Sequence, residues 1–127
     1  MCLTLTENSK LKVAEEDIVC YKIAIKDINR CFVTPFRGMI YKLGELYSTL
    51  IGWPRKIGSI KIINEGFHSF TCKEDAWKCA KFEAPTFEGT NMVVVKCIIP
   101  KGANYIEGMF VQYPNYVSDK IICVKEV

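Results

Sequence analysis

The stretch EGFHSFTCKEDAWKCAKF, residues Glu65 to Phe82, decides the fold, because a strand runs out in it and a helix begins. Thr71 offers its hydroxyl as an N-cap, and Glu74, three residues later, completes a capping box. Cys72, Ala76, Cys79 and Ala80, with Trp77 at one edge as a core anchor, form a narrow apolar stripe. Lys73, Asp75, Lys78 and Lys81 fill the remaining face. The helix ends before Pro85, since the residue preceding a proline avoids the helical region. Just ahead of it, His68 has two readings. It binds a phosphate or ribose while Phe67 and Phe70 stack on a base, or it shares one strand face with Phe70 while Phe67 and Ser69 take the other.

Outward from this stretch, NMVVVKCIIP (Asn91 to Pro100) is β-branched and almost continuously apolar, the pattern of a central strand. Val19, Tyr21, Ile23 and Ile25 alternate with period two and predict another strand, and SDKIICVKEV closes the chain as a last one. KDINRCFVTPFRG, broken by Asn29, Pro35 and Gly38, reads as a loop. MIYKLGELYS reads as a strand bent at Gly44. Thr49 to Ile60, carrying Gly52, Pro54 and Gly58, reads as a surface loop, and YIEGMFVQY as a short strand or loop. The sum is a strand-rich α+β fold with one main helix. A chain of 127 residues fits a single domain, in which residues 1–16 form a polar, loosely packed N-terminal segment.

Half the residues are apolar and 24% are charged, so the chain carries enough apolar surface to fold. Its net charge of +3 comes from scattered basic residues, which argues against nucleic acid as a partner. No apolar run reaches a membrane span, and MCLTLTENSKLKVAEED lacks a basic stretch followed by an apolar one. The expectation is no membrane partner and a cytoplasmic location. The seven cysteines are odd in number, and several sit inside apolar runs (DIVCYKIAI, VVVKCIIP, DKIICVKE), as buried free thiols in a reducing compartment do. Without a Cys-x-x-Cys or His-x-x-x-His pair, a structural zinc is not expected. The single histidine leaves one candidate base for a cysteine nucleophile.

GFHSFTCKEDAWKCAKF resembles the second conserved block of small ADP-ribosyltransferase-like proteins. There a glycine and an aromatic end a strand, small hydroxyl residues follow, and a helix with alanine and tryptophan packs on the sheet. VVVKCIIPKGANYI is similar to the strand-Pro-x-Gly turn that follows in several such families. A second resemblance is to uncharacterised small proteins of phages and of bacteria carrying them. It rests on Tyr41, Leu43, Gly44 and Tyr47, on Gly66, Phe67 and His68, and on Ser118, Asp119, Lys120 and Ile121.

The transferase resemblance implies an ADP-ribosyltransferase-like split sheet whose cleft holds NAD as cofactor. Tyr21 or Lys22 stands at the first dinucleotide-binding position, and Ser69, beside His68, at the second. The final strand lacks the family's Glu-x-Glu or Gln-x-Glu, which leaves Asp119, or Glu107 upstream, to supply the catalytic carboxylate. An Asp withdraws the charge by one methylene, and misplacement by about 1 Å costs on the order of a hundredfold in rate. The resemblance therefore implies a nucleotide- or NAD-binding protein without turnover. The alternative is a phage- or mobile-element-encoded interaction module for a protein partner, suggested by the missing Glu and by the aromatics of IGWPRK and FVQYPNY. The two readings separate on geometry, since the first needs Tyr21, His68, Ser69 and Asp119 to converge on one concave pocket.

Overall fold

Pairing is built around Met92–Ile99 (β10), whose β-branched side chains suit a strand covered on both faces. In this computed structural model, which describes residues 3–26, 31–34, 39–83 and 91–127, β10 lies between two antiparallel neighbours. Ile18–Lys26 (β3) runs along one edge in register from Met92↔Ile25 to Ile99↔Ile18. Lys120–Glu126 (β13) runs along the other, with a register shift between Lys96 and Cys97. These strands and the helix Lys73–Glu83 (α1) occupy the segments whose periodicity announces them. The helix starts one residue later than the capping box predicts, because the Cys72 sulfur, rather than the Thr71 hydroxyl, accepts the Asp75 amide.

The expected fold class is overturned. The fold is mostly β rather than α+β: among the described residues thirteen strands pair antiparallel in one continuous sheet against a single 11-residue helix, in place of the ADP-ribosyltransferase-like split sheet. The cause lies in segments whose glycines and prolines mimic loops. Arg55–Ile57 (β7) and Ile60–Ile63 (β8) form a hairpin across Gly58 and Ser59, and Gly58 takes the positive φ of 62° that a two-residue hairpin turn requires. Asn104–Phe110 (β11) and Tyr113–Ser118 (β12) form a second hairpin that includes Pro114. The loop expected over residues 27–38 falls largely outside the described residues, although Phe32–Val33 (β4) pairs with β3 and with Ile40–Tyr41 (β5).

Beyond β3 the sheet continues through Phe67–Phe70 (β9), β12, β11, Leu3–Thr4 (β1) and β8 to β7 at its end. Leu46–Ser48 (β6) closes the opposite end against β13, and Lys12–Val13 (β2) pairs with β11. The N-terminal segment thus enters the sheet, and Leu3 is fully buried.

The sheet has cores on both faces. On one face Cys20, Ala24, Phe67, Val95, Cys97 and Ile121 pack together, with Phe32 and Tyr41 closing over them. On the other, α1 sets Ala76, Cys79 and Ala80 against Ile23, Phe70 and Val94. Leu3, Ile63, Ile106 and Val117 form a third cluster. Gly66 is required where β9 begins: its φ is 127°, and a Cβ there would lie 2.5 Å from Val117 Cγ1. Among the described residues no helix is long and apolar enough to cross a membrane.

Candidate functional site

Strand parity sets the most unusual side chain in the molecule. Cys20, Lys22 and Ala24 share the face of β3 that turns into the core, while Tyr21 and Ile23 face α1. Lys22 is consequently buried, only 8% exposed. Its Nζ donates a hydrogen bond to the His68 carbonyl oxygen and lies 5.5 Å from the centroid of the Tyr41 ring. That carbonyl lies on β9, which meets β3 at the register pair Tyr21↔Phe70.

Three thiols surround the amine. Cys20, Cys97 and Cys123 stand opposite one another on β3, β10 and β13, and each interacts electrostatically with Lys22. Burial pushes the Lys22 amine below its ordinary range, because a lone charge is costly away from water. Burial likewise pushes the Cys20 thiol up to about 12, against the opposing pull of Ser69 and Lys22. Cys97 donates its S–H to Cys123 at 3.4 Å; this bond draws the Cys123 thiol down and holds the Cys97 thiol up. Tyr41, edge-on to Tyr47 with centroids 4.9 Å apart, has its hydroxyl pushed up by burial. The ensemble offers an amine and adjacent thiols, sealed from solvent.

The sequence-predicted residues occupy three environments. Lys22 and Ser69 share the sealed core face, with Ser69 beside the Cys20 thiol. Tyr21 packs on the helix side, and His68, 7% exposed, faces the same way as Val117, its cross-strand partner, with Nε2 2.9 Å from the Asn64 carbonyl oxygen. Asp119 lies in the turn after β12, where its carboxylate accepts both the backbone N–H of Asn104 at 2.9 Å and its side-chain amide at 2.8 Å. Glu107 is half-exposed and pairs with Lys12 at 3.8 Å.

Two concavities lie elsewhere. An open groove of about 720 Å³ beside β2 is lined by Lys10, Lys12, Glu15, Glu16, Asp17 and Tyr105, charges of both signs. A smaller apolar one of about 280 Å³ lies between the end of α1 and the β11–β12 turn, under Phe82 and Val111. Tyr21, Lys22, His68, Ser69 and Asp119 line neither. Among the described residues no group of three or more His, Cys, Asp or Glu side chains is placed to hold a metal ion.

No family model, curated protein or solved structure matches this chain. The site must be argued from its own geometry.

The outer end of the sheet has the opposite character to the lysine pocket. Trp53, two residues before β7, is 91% exposed, and Ile57 and Ile60 pair across the β7–β8 hairpin at 58% and 48%. Lys56 and Lys61 stand directly opposite on the other hairpin face, and Arg55 adds a third basic group. Among the described residues the ion pairs are Lys12–Glu107 and Lys26–Glu126, so this basic trio has no acidic partner there. The tryptophan of IGWPRK signals this surface in the sequence. The hairpin after it was hidden because Pro54, Gly58 and the brevity of β7 resemble a loop. The thiols around Lys22 were visible only as cysteines in apolar runs, since nothing local sets the register that brings them together.

Proposed function

We propose that this chain is a protein-interaction module whose recognition surface is the β7–β8 hairpin with the loop before it. The observation that carries the reading is the exposure of Ile57 and Ile60, paired across the hairpin, and of Trp53, two residues before β7. Large apolar side chains left together in water mark contact surfaces, and tryptophan is among the residues that supply most binding energy at such surfaces. The partner that fits presents apolar side chains beside a carboxylate, because Arg55 shares the strand face of Ile57 and has no acidic partner among the described residues. Docking uses the side-chain face rather than strand addition: β7 is only three residues long, and Pro54 precedes it without an N–H to offer. The dispersal of Tyr21, His68 and Asp119 over different environments supports this reading over a nucleotide cleft.

The test pairs affinity capture with direct titration. Wild type should retain a protein that is then purified and titrated calorimetrically, and Trp53→Ala with Ile57→Ser should weaken that complex at least tenfold at an unchanged melting temperature. NAD, ADP-ribose, single-stranded nucleic acid and anionic vesicles should give no heat. Nucleotide binding weakened fivefold or more by His68→Ala, about 1 kcal/mol, would replace the interaction reading with the dinucleotide one.

A further inference from the structure

Cys97 has a thiol neighbour on each side, Cys20 across the β3 edge and Cys123 across the β13 edge. Only on the second side is a sulfur-to-sulfur contact formed among the described residues, at 3.4 Å. Directly opposed residues on antiparallel strands have Cα atoms about 4.5–5.5 Å apart. That separation lies inside the roughly 4.4–6.8 Å a disulfide spans. Closing the sulfurs therefore needs side-chain rotation, not a new backbone path. The register shift between Lys96 and Cys97 leaves the strand locally irregular at this pair.

We propose that Cys97 and Cys123 form a covalent redox site, a dithiol that a hydroperoxide converts into a cross-strand disulfide joining β10 to β13. Cys97 donates its S–H to the Cys123 sulfur, which makes Cys123 the first sulfur to lose its proton, with Lys22 on the same core face favouring the thiolate. The Cys123 thiolate attacks one peroxide oxygen; an S–O bond forms, the O–O bond breaks, and the departing hydroxide takes up a proton to leave as water. The Cys97 sulfur then attacks the resulting sulfenic acid. An S–S bond forms, the S–O bond breaks, and the hydroxyl leaves with the Cys97 proton as a second water. Two thiols and one hydrogen peroxide give one disulfide and two waters.

Cys97 and Cys123 are 0% and 1% exposed, so the oxidant reaches them from a locally opened state. The element that opens is β6, three residues long with Leu46 and Ser48 exposed, which covers the outer edge of β13 and is preceded by a turn held by the Gly44 N–H to the Cys123 carbonyl oxygen. Cys31 and Cys72 are more accessible, so selectivity comes from proximity rather than exposure.

The test treats the folded protein with hydrogen peroxide and reads intact mass and a non-reducing peptide map, with melting curves showing that each sample is folded. Wild type should lose about 2 Da, the mass of two hydrogens, reversibly with reductant, and the map should join the Cys97 and Cys123 peptides. Cys20→Ala should behave as wild type, while Cys97→Ala and Cys123→Ala should each abolish the loss, and Lys22→Met should slow it. Folded wild type that shows no loss would overturn the proposal, as would a link to Cys20, Cys31 or Cys72. A Cys97–Cys123 link that forms as fast in urea as in the folded state would overturn it too, since the fold would then contribute nothing.

Discussion

The Lys22 core and the β7–β8 hairpin invert the usual placement of side chains. In the first, a lysine and three thiols are buried where apolar groups would be expected; in the second, a tryptophan and two isoleucines stand in water. The difference shows that recognition belongs to what the fold leaves uncovered, whereas sealed reactive groups are reached only when the fold opens locally. Lys22 is tolerated inside because the His68 carbonyl oxygen accepts its hydrogen bond. The hairpin is tolerated outside because its basic residues keep the patch soluble.

The comparison breaks most severely at Tyr41, which closes the lysine core at 2% exposure. Tyr41→Ala should cost about 3–5 kcal/mol in chemical denaturation, as large-to-small changes at buried aromatics do. Gly66→Ala comes next, at roughly 1–3 kcal/mol, because the positive φ and the Val117 contact both resist a Cβ.

A sharper test is the pH profile. The amine of Lys22 lies below its ordinary value of 10.5, so in that interval the unfolded chain holds a proton the folded chain lacks, and stability rises with pH. The slope for one such proton is at most about 1.4 kcal/mol per pH unit. The lowered Cys123 thiol adds in the same direction below 9.0. Cys20 and Cys97 work in the opposite sense: above 9.0 the folded chain keeps two protons the unfolded chain has lost, which outweighs Lys22, so stability falls. Denaturation midpoints should therefore climb toward about pH 9 and decline above it. Lys22→Met should flatten the rising limb, with a change in stability near neutral pH of about 1–2 kcal/mol or less, because an apolar side chain of similar length replaces a costly polar one. At the outer end, Trp53→Ala and Ile57→Ser should move stability by no more than about 0.5 kcal/mol while abolishing partner binding.

These regions were unequally legible in the sequence. The strands Ile18–Lys26, Met92–Ile99 and Lys120–Glu126 and the helix carry periodicities long enough to read directly. The short strands did not, because three- and four-residue segments gain their stability from distant partners rather than from local pattern. That is why Arg55–Ile57 passed for a loop and the fold for α+β. Parity alone groups Cys20, Lys22 and Ala24 on one face, but it does not say which face is buried; the choice is made by Tyr41, Phe67 and Cys97 arriving from elsewhere. The exposed Trp53 was visible as an aromatic beside a proline and two basic residues, with no hairpin in sight to hold it.

The most direct measurement is native-state amine labelling, read lysine by lysine by mass spectrometry. Lys56 and Lys61 should react at the rate of a free amine, and Lys22 should stay unmodified until the protein unfolds, its labelling tracking global denaturation. Lys22 reacting in the folded protein as fast as Lys56 would mean that its pocket is open to solvent, and the division between a sealed reactive core and an exposed recognition surface would be contradicted.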